Sequence, residues 1–131
     1  MSHLPTDLKY TDAHLWVRPE EDGTVTLGLT DHVQQALGTI YSLDAPSVGE
    51  HLDVGDECIA VEAEQTNIDI FSPISGDIIE CNEDLADSPT LINADPYDDG
   101  WIIQVRPDDI SELDDLMDVH DYQELIEEEQ E

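Results

Sequence analysis

The chain has very few basic side chains. Lys9, Arg18 and Arg106 stand against 34 acidic residues in a chain of 131, which gives a formal net charge of -31. This balance argues against nucleic acid as a partner, because phosphate binding needs clustered Lys and Arg. It argues against an anionic membrane surface for the same reason.

Long apolar runs are also missing. No segment approaches the roughly 20 apolar residues that a membrane-spanning helix needs. Residues 1–10 show no basic start followed by an apolar stretch, so we expect no signal peptide. The sequence therefore predicts a cytoplasmic protein without a membrane partner.

Aromatic residues and cysteines are scarce. Aromatics make up 5% of the chain, so we expect a core of Val, Ile, Leu and Ala. Cys58 and Cys81 are the only cysteines, and both stand in apolar runs typical of strands. We expect buried thiols there rather than a disulfide.

The acidic residues are spread over the whole length. Such a chain repels itself at low salt, and dissolved ions screen that repulsion. We therefore favour a salt-adapted host over the alternative, an ordinary acidic domain with an acidic tail.

The first third of the chain predicts a hairpin and a short helix. Strands are expected at 15–18 and 24–30, joined by a turn at Asp22-Gly23. Thr30 can cap a helix that runs to about Leu37, where Gly38 ends it.

Short strands and turns dominate the middle of the chain. We expect strands at 39–43, 58–62, 67–71, 77–81 and 101–105, a loop or single turn at 82–89, and turns at 47–56 and 95–100. Gly-Asp precedes an apolar run twice, at 55–56 and 76–77, as expected of two similar sheets packed together. This spacing favours a sandwich or barrel.

Helical spacing begins after Pro107. Ile110, Leu113, Leu116 and Met117 share one face, which predicts a first helix. A break near Asp118 precedes a second helix at 122–127, and 127–131 reads as a frayed acidic tail.

In this order, the landmarks resemble those of the glycine cleavage system H protein family. The matching stretches are 8–10, 14–17, 28–32, 37–38, Glu62, 69–76, 91–93, 96–97, 100–102 and 111–122. The resemblance implies a mainly β fold, a lipoyl-type barrel-sandwich hybrid of two small antiparallel sheets with a short internal helix and C-terminal helices. It further implies a single domain over 1–131, with its core at about 10–107 and its C-terminal helices at about 110–127.

The resemblance also implies a function. Members of the family are non-enzymatic carriers whose lipoyl-lysine moves an aminomethyl group between partner enzymes, and a lipoate ligase attaches the lipoate. For this chain it implies partner enzymes of the glycine cleavage type, a lipoate ligase, and a monomer in a prokaryotic cytoplasm.

The lipoyl-lysine position is occupied by Gln65, in the predicted hairpin at 61–76. The resemblance therefore implies that no lipoate is covalently bound to this chain. Two more departures accompany it: Leu15 stands where the family usually has Glu, and Ala13 where a small hydroxyl residue is common.

By the same resemblance, the cofactor-binding site comprises the tip and its surroundings. Its residues are Gln65, Glu62, Glu64, Asp69 and His14. His14 is read as a structural or rim residue, and no catalytic residue is predicted.

The spacing of the histidines predicts no metal site. We read Asp53, Asp56 and Glu57 as a solvated acidic turn rather than a loose cation site.

Three functions remain open from the sequence. The first is an H-protein-type carrier with a disabled tip. The second is a lipoate-binding carrier for sulfur oxidation, favoured by the changes at Ala13 and Leu15. The third is a non-lipoylated interaction or regulatory module.

Overall fold

The computed structural model describes residues 8–11, 14–45 and 47–129. Its strands are β1 Lys9–Tyr10, β2 Leu15–Pro19, β3 Val25–Leu29, β4 Ile40–Asp44, β5 His51–Leu52, β6 Glu57–Ala63, β7 Asn67–Phe71, β8 Gly76–Cys81 and β9 Ile103–Pro107. Its helices are α1 Asp31–Leu37, α2 Asp84–Asp87, α3 Leu91–Ala94, a 3-10 helix Ile110–Asp115 and α4 Val119–Glu129.

The strands form two antiparallel sheets. One has six strands in the order β1-β2-β3-β9-β8-β5, and the other has three in the order β4-β6-β7. The prediction of a mainly β fold with two antiparallel sheets, a short internal helix and C-terminal helices is confirmed.

The β2–β3 hairpin separates two apolar clusters. Leu15 and Val17 belong to the main core. Trp16 belongs to a second cluster with Tyr10 and Tyr122, and so links β1, β2 and α4. Because successive side chains point to opposite faces of a strand, this strand is buried on both faces.

The internal helix α1 forms where the sequence predicts it. The Thr30 side chain accepts a hydrogen bond from the Val33 amide at the N-cap. Gly38 ends the helix with a φ of 75°, a conformation that disfavours side chains with a Cβ.

The strand predicted at 101–105 begins two residues later, at Ile103. The Trp101 amide donates to the Asp98 carbonyl, so it still closes the preceding turn. The short elements β1, β5 and α3 were not expected from the sequence. β1 pairs with the neighbouring β2, whereas β5 pairs with β8, which is distant in the chain.

The C-terminal segment differs from the prediction in three ways. Its first helix is a 3-10 helix, and α4 begins at Val119 rather than at 122, with Asp118 accepting from the Asp121 amide. The helix also runs through Glu129, so the tail predicted from 127 was wrong for 127–129. Glu is a good helix former and nothing in this stretch breaks a helix.

Some predictions concern residues outside this description. Ala13 and the last two residues of the predicted tail, 130 and 131, lie outside the described residues. Within the described ranges, no helix has the length and apolar character needed to cross a bilayer.

Candidate functional site at the β6–β7 tip

The tip consists of Glu64, Gln65 and Thr66, which connect β6 to β7. The two strands pair directly below it, with Glu62 opposite Asn67. All three tip residues are exposed. The structure thus displays Gln65 to solvent at the end of a hairpin.

Backbone hydrogen bonds fix the shape of the tip. The Glu64 amide donates to the Thr39 carbonyl at 2.8 Å, and the Gln65 amide donates to the Leu37 carbonyl at 2.9 Å. A Cβ at Gly38 would lie 2.9 Å from a carboxylate oxygen of Glu64, so the chain passes close to the tip there. The end of α1 therefore supports the tip without using the Gln65 side chain amide.

Asn93 on α3 connects the segments that support the tip. Its Nδ2 donates to Gln34 Oε1 at 2.9 Å and to the Gly38 carbonyl at 2.7 Å. Its Oδ1 accepts from the Ile40 amide at 3.0 Å. One half-buried side chain thus joins α1, the residue after it and β4.

An open groove of about 580 Å³ lies beside the tip. Its lining is Gln34, Gln35, Gly38, Thr39, Glu64, Thr90, Asn93 and Ala94. The lining carries three side-chain amides and two hydroxyls together with apolar surface, so the groove can offer both hydrogen bonds and apolar contact.

The predicted residues Glu62 and Asp69 lie on the outer face of the three-stranded sheet. Glu62 accepts a hydrogen bond from the Ser42 hydroxyl at 3.1 Å, and Asp69 is opposite Ala60. Both are exposed, as is Glu64 in the tip. The structure therefore brings four of the five predicted site residues to one end and face of this sheet.

The outer face of this sheet is acidic with aromatic residues at its edges. Asp44 and Glu57 add two more exposed carboxylates. Tyr41 is 61% exposed and Phe71 is 54% exposed. The three basic residues of the chain all lie in the six-stranded sheet, on β1, β2 and β9.

His14, the fifth predicted residue, lies at the other end of α1. Its Nδ1 is 2.8 Å from the Tyr122 hydroxyl, which is 2.6 Å from the Thr30 hydroxyl at the helix N-cap. Gln65 contacts the last residue of α1, and a seven-residue helix is about 10 Å long. His14 therefore contacts α4 and lies near the start of α1, and the structure does not place it in the tip. Its backbone has a φ of 65°.

Leu15 is fully buried in the main core. Its departure from the family pattern therefore affects packing between the sheets.

Two residues near the first turn of α1, His32 and Tyr97, were not predicted from the sequence. His32 lies beside His14, with ring centroids 5.4 Å apart. The Tyr97 hydroxyl accepts from the Asp31 amide at 3.0 Å, and burial raises the pKa of Tyr97 to about 12. These contacts stabilise the first turn of α1. In the sequence, only the position of His32 and Tyr97 within the stretches that resemble the family could have indicated them.

Comparison with known proteins gives one consistent result. Residues 8–129 match the glycine cleavage H-protein family. The chain is 45% identical to the glycine cleavage system H protein of Alkalilimnicola ehrlichii, over 99% of this chain and 100% of that protein. It is 47% identical to that of Saccharophagus degradans, over 97% and 98%.

A solved structure agrees with the sequence comparisons. The crystal structure of a glycine cleavage system H protein from Mycobacterium marinum superposes with a TM-score of 0.83 and 35% identity, covering 92% of this chain and 97% of that one. With the family match over nearly the full length and the same fold, this chain belongs to the glycine cleavage H-protein family.

Proposed function

We propose that this chain is an H-protein-type module that docks onto the enzymes of glycine cleavage without carrying a lipoyl arm. One observation supports the proposal: Gln65 occupies the exposed tip. By the resemblance described above, this is the position of the family's lipoyl-lysine. The family membership supports the class of partner enzymes, and the glutamine at position 65 supports the absence of a lipoyl arm.

The missing arm follows from the chemistry of attachment. Lipoate is joined to a lysine through an amide, which needs a nucleophilic amine at the tip. The nitrogen of a glutamine side chain belongs to a carboxamide and is a poor nucleophile. Lys9 is the only lysine, and it lies on β1 in the other sheet.

The docking surface remains complete without the arm. The tip keeps its backbone support, and the outer face carries exposed carboxylates with Tyr41 and Phe71 beside them. A basic enzyme surface would be attracted to this face, and electrostatic complementarity mainly raises the association rate. The chain would then act as a decoy or regulator of a lipoylated carrier.

The first experiment tests the tip. The wild-type protein, Gln65→Lys and Gln65→Arg are incubated with lipoate, ATP and a lipoate ligase, and their intact masses are measured. We expect a lipoyl mass increment on Gln65→Lys and none on the other two. A lipoylated wild-type protein would contradict the proposal.

The second experiment tests docking. Increasing amounts of unmodified chain are added to a glycine cleavage assay that contains a lipoylated H protein and its partner enzymes. We expect competitive inhibition that weakens as salt increases. An uninhibited assay, with no complex detected between the chain and any partner enzyme, would leave the docking proposal without support.

A further inference from the structure

A second groove, of about 480 Å³, lies at the opposite end of the β6–β7 hairpin from the tip. Val54 precedes β6 and Pro73 follows β7, and both residues line this groove. β6 has seven residues and is therefore about 20 Å long. A partner held in this groove would leave the tip free.

The groove has an apolar lining that water reaches. Val54, Pro73, Leu116 and Met117 all line it. Val54 is 56% exposed, and the other three are half-buried. Apolar side chains gathered in an open groove on a chain as polar as this one indicate a binding surface.

Backbone hydrogen bonds fix the segments that form the groove. The Gly55 amide donates to the Ser72 carbonyl at 3.0 Å, which joins the turn of Val54 to the end of β7. The Tyr10 amide donates to the Met117 carbonyl at 2.7 Å, and the Met117 amide donates to the Tyr10 carbonyl at 2.9 Å. The groove is thus formed before a partner arrives, which lowers the ordering cost of binding.

Two carboxylates, those of Glu112 and Asp115, also line the groove. Glu112 is half-buried, and its Oε1 accepts from the Ser75 amide at 3.2 Å and from the Ser75 hydroxyl at 2.7 Å. These two bonds hold the carboxylate beside the apolar lining. Of the described residues that line the groove, none is basic, so its own charge is negative.

These features decide between possible occupants. A second copy of this chain would bring another net charge of -31 to the same face, and an anionic membrane would also be repelled. An added β-strand is disfavoured at Tyr10, because its amide and its carbonyl both bond to Met117. A helix places apolar anchors in such a groove without needing backbone partners there.

We propose that this groove binds a basic amphipathic helix of another protein. Its apolar face would cover Val54, Pro73, Leu116 and Met117, and its basic side chains would face Glu112 and Asp115. Charge complementarity would mainly raise the association rate, and apolar contact would hold the complex. This proposal does not rest on the function proposed above, because the groove is separate from Gln65.

The test uses three synthetic helical peptides as probes. The first has leucine at i, i+3, i+4 and i+7 and lysine elsewhere. The second replaces each leucine by alanine and keeps the charge. The third keeps the leucines and replaces each lysine by glutamate. The probes thus separate the apolar contribution to binding from the charge contribution.

Each peptide is titrated into the ¹⁵N-labelled chain, with amide NMR spectra recorded at about 0.1 M and about 1 M KCl. At the higher concentration the Debye length is about 3 Å, so diffuse attraction between the charges is suppressed. We expect saturable one-to-one binding of the first peptide alone at about 1 M KCl. The largest amide shifts should occur at Thr11, Val54, Leu116 and Met117.

A matched pair of valines tests the apolar lining. Val54→Ser should weaken binding of the first peptide by about 3–10-fold, because it removes apolar area that the helix covers. Val48→Ser is the control, since Val48 is 61% exposed and does not line the groove. It should leave the affinity within about twofold of wild type.

A matched pair of acids tests the charge. Glu112→Gln keeps an oxygen that can accept from Ser75 and removes the negative charge. It should weaken binding by about 2–5-fold at about 0.1 M KCl. Asp114→Asn removes an exposed carboxylate from the same 3-10 helix, outside the lining, and should have the smaller effect. Unchanged amide spectra of the free variants show that each is folded.

Three results would overturn the proposal. Shifts spread over the whole surface, with equal losses in Val54→Ser and Val48→Ser, assign binding to diffuse attraction. Equal affinity for the glutamate peptide means that the charge of the groove selects nothing. Failure of the first peptide to bind rules out a basic helix, and a dimer in sedimentation that Val54→Ser disrupts then assigns the groove to a second copy.

Discussion

At the scale of single residues, Gly28 shows how closely β2 and β3 are fitted. It is opposite Trp16 in the hairpin, and a Cβ built on it would lie 2.5 Å from two atoms of the indole ring. Trp16 cannot easily retreat, since its Nε1 donates to the Pro96 carbonyl at 2.8 Å and Arg18 covers its ring. The packing of Trp16 in the second apolar cluster therefore requires a glycine at position 28.

Gly28→Ala is expected to lower the free energy of unfolding by about 1–3 kcal/mol, because the added methyl overpacks the Trp16 ring. Urea unfolding followed by tryptophan fluorescence measures the loss. Gly23→Asn is the matched control, because the space around Gly23 is open and Asn tolerates its positive φ. Equal losses in both variants would contradict the overpacking argument.

Cys58 gives a pH dependence at the same scale. Burial raises the pKa of its thiol from 9.0 to about 12. Between these values the folded chain keeps a proton that the unfolded chain releases, so stability is present below pH 9 and falls as the pH rises above it. A single group of this kind contributes a slope of about 1.4 kcal/mol per pH unit.

Cys58→Ala should therefore flatten the alkaline fall in unfolding free energy between about pH 9 and about pH 10.5. Cys81→Ala serves as the control, because Cys81 is only half-buried and should contribute less. Urea melts at a series of pH values compare the slopes. A Cys58→Ala slope as steep as that of wild type would exclude the thiol as a source.

At the scale of elements, Asn93 joins the pieces that hold the tip. Asn93→Ala leaves the Ile40 amide without its side chain acceptor and removes the donor to the Gly38 carbonyl. We expect a loss of about 1–3 kcal/mol in unfolding free energy. Amide hydrogen exchange at Glu64 and Gln65 in the tip should accelerate more than exchange within β6.

Asn82→Ala is the control for this prediction. Asn82 also donates twice to backbone carbonyls, those of Asp99 and Trp101, which belong to the segment before β9 and not to the segments that support the tip. It should reduce stability without singling out the tip amides. If both variants change the tip amides equally, Asn93 has no special part in supporting them.

Elements built from neighbouring residues could be predicted from the sequence. The β2–β3 hairpin and α1 carry their own signals, the Asp22-Gly23 turn and the Thr30 and Gly38 caps. The two-residue strand β5 carries none, because its pairing with β8 depends on residues far along the chain. The start of α4 was missed because only Asp118, an ordinary acid in an acidic run, marks its cap.

In the candidate site, too, contacts between neighbouring residues could be predicted and contacts between distant residues could not. The proximity of Gln65, Glu62, Glu64 and Asp69 could be predicted because they belong to one hairpin, whose two strands pair locally. The position of His14 could not, because its neighbour Tyr122 is 108 residues away in the chain. The proximity of His51, Asp77 and Asp108 could not be predicted for the same reason, since the sheet brings together three segments distant in the chain.

At the scale of the whole molecule, charge is the main variable. With 34 acidic and three basic residues, repulsion between like charges acts throughout the surface. We expect the urea midpoint to rise from about 0.1 M to about 1 M KCl, as the Debye length falls from about 10 Å to about 3 Å. Equal midpoints at both concentrations would contradict salt adaptation.

The way the tip is held has an evolutionary consequence. Its shape depends on the amides of Glu64 and Gln65 and on the carbonyls they reach, and these backbone hydrogen bonds can form with other side chains at 65. Codons for lysine and glutamine differ by a single base. Under the function proposed above, a lineage could therefore lose or regain the attachment point in one mutational step while keeping the backbone hydrogen bonds of the tip.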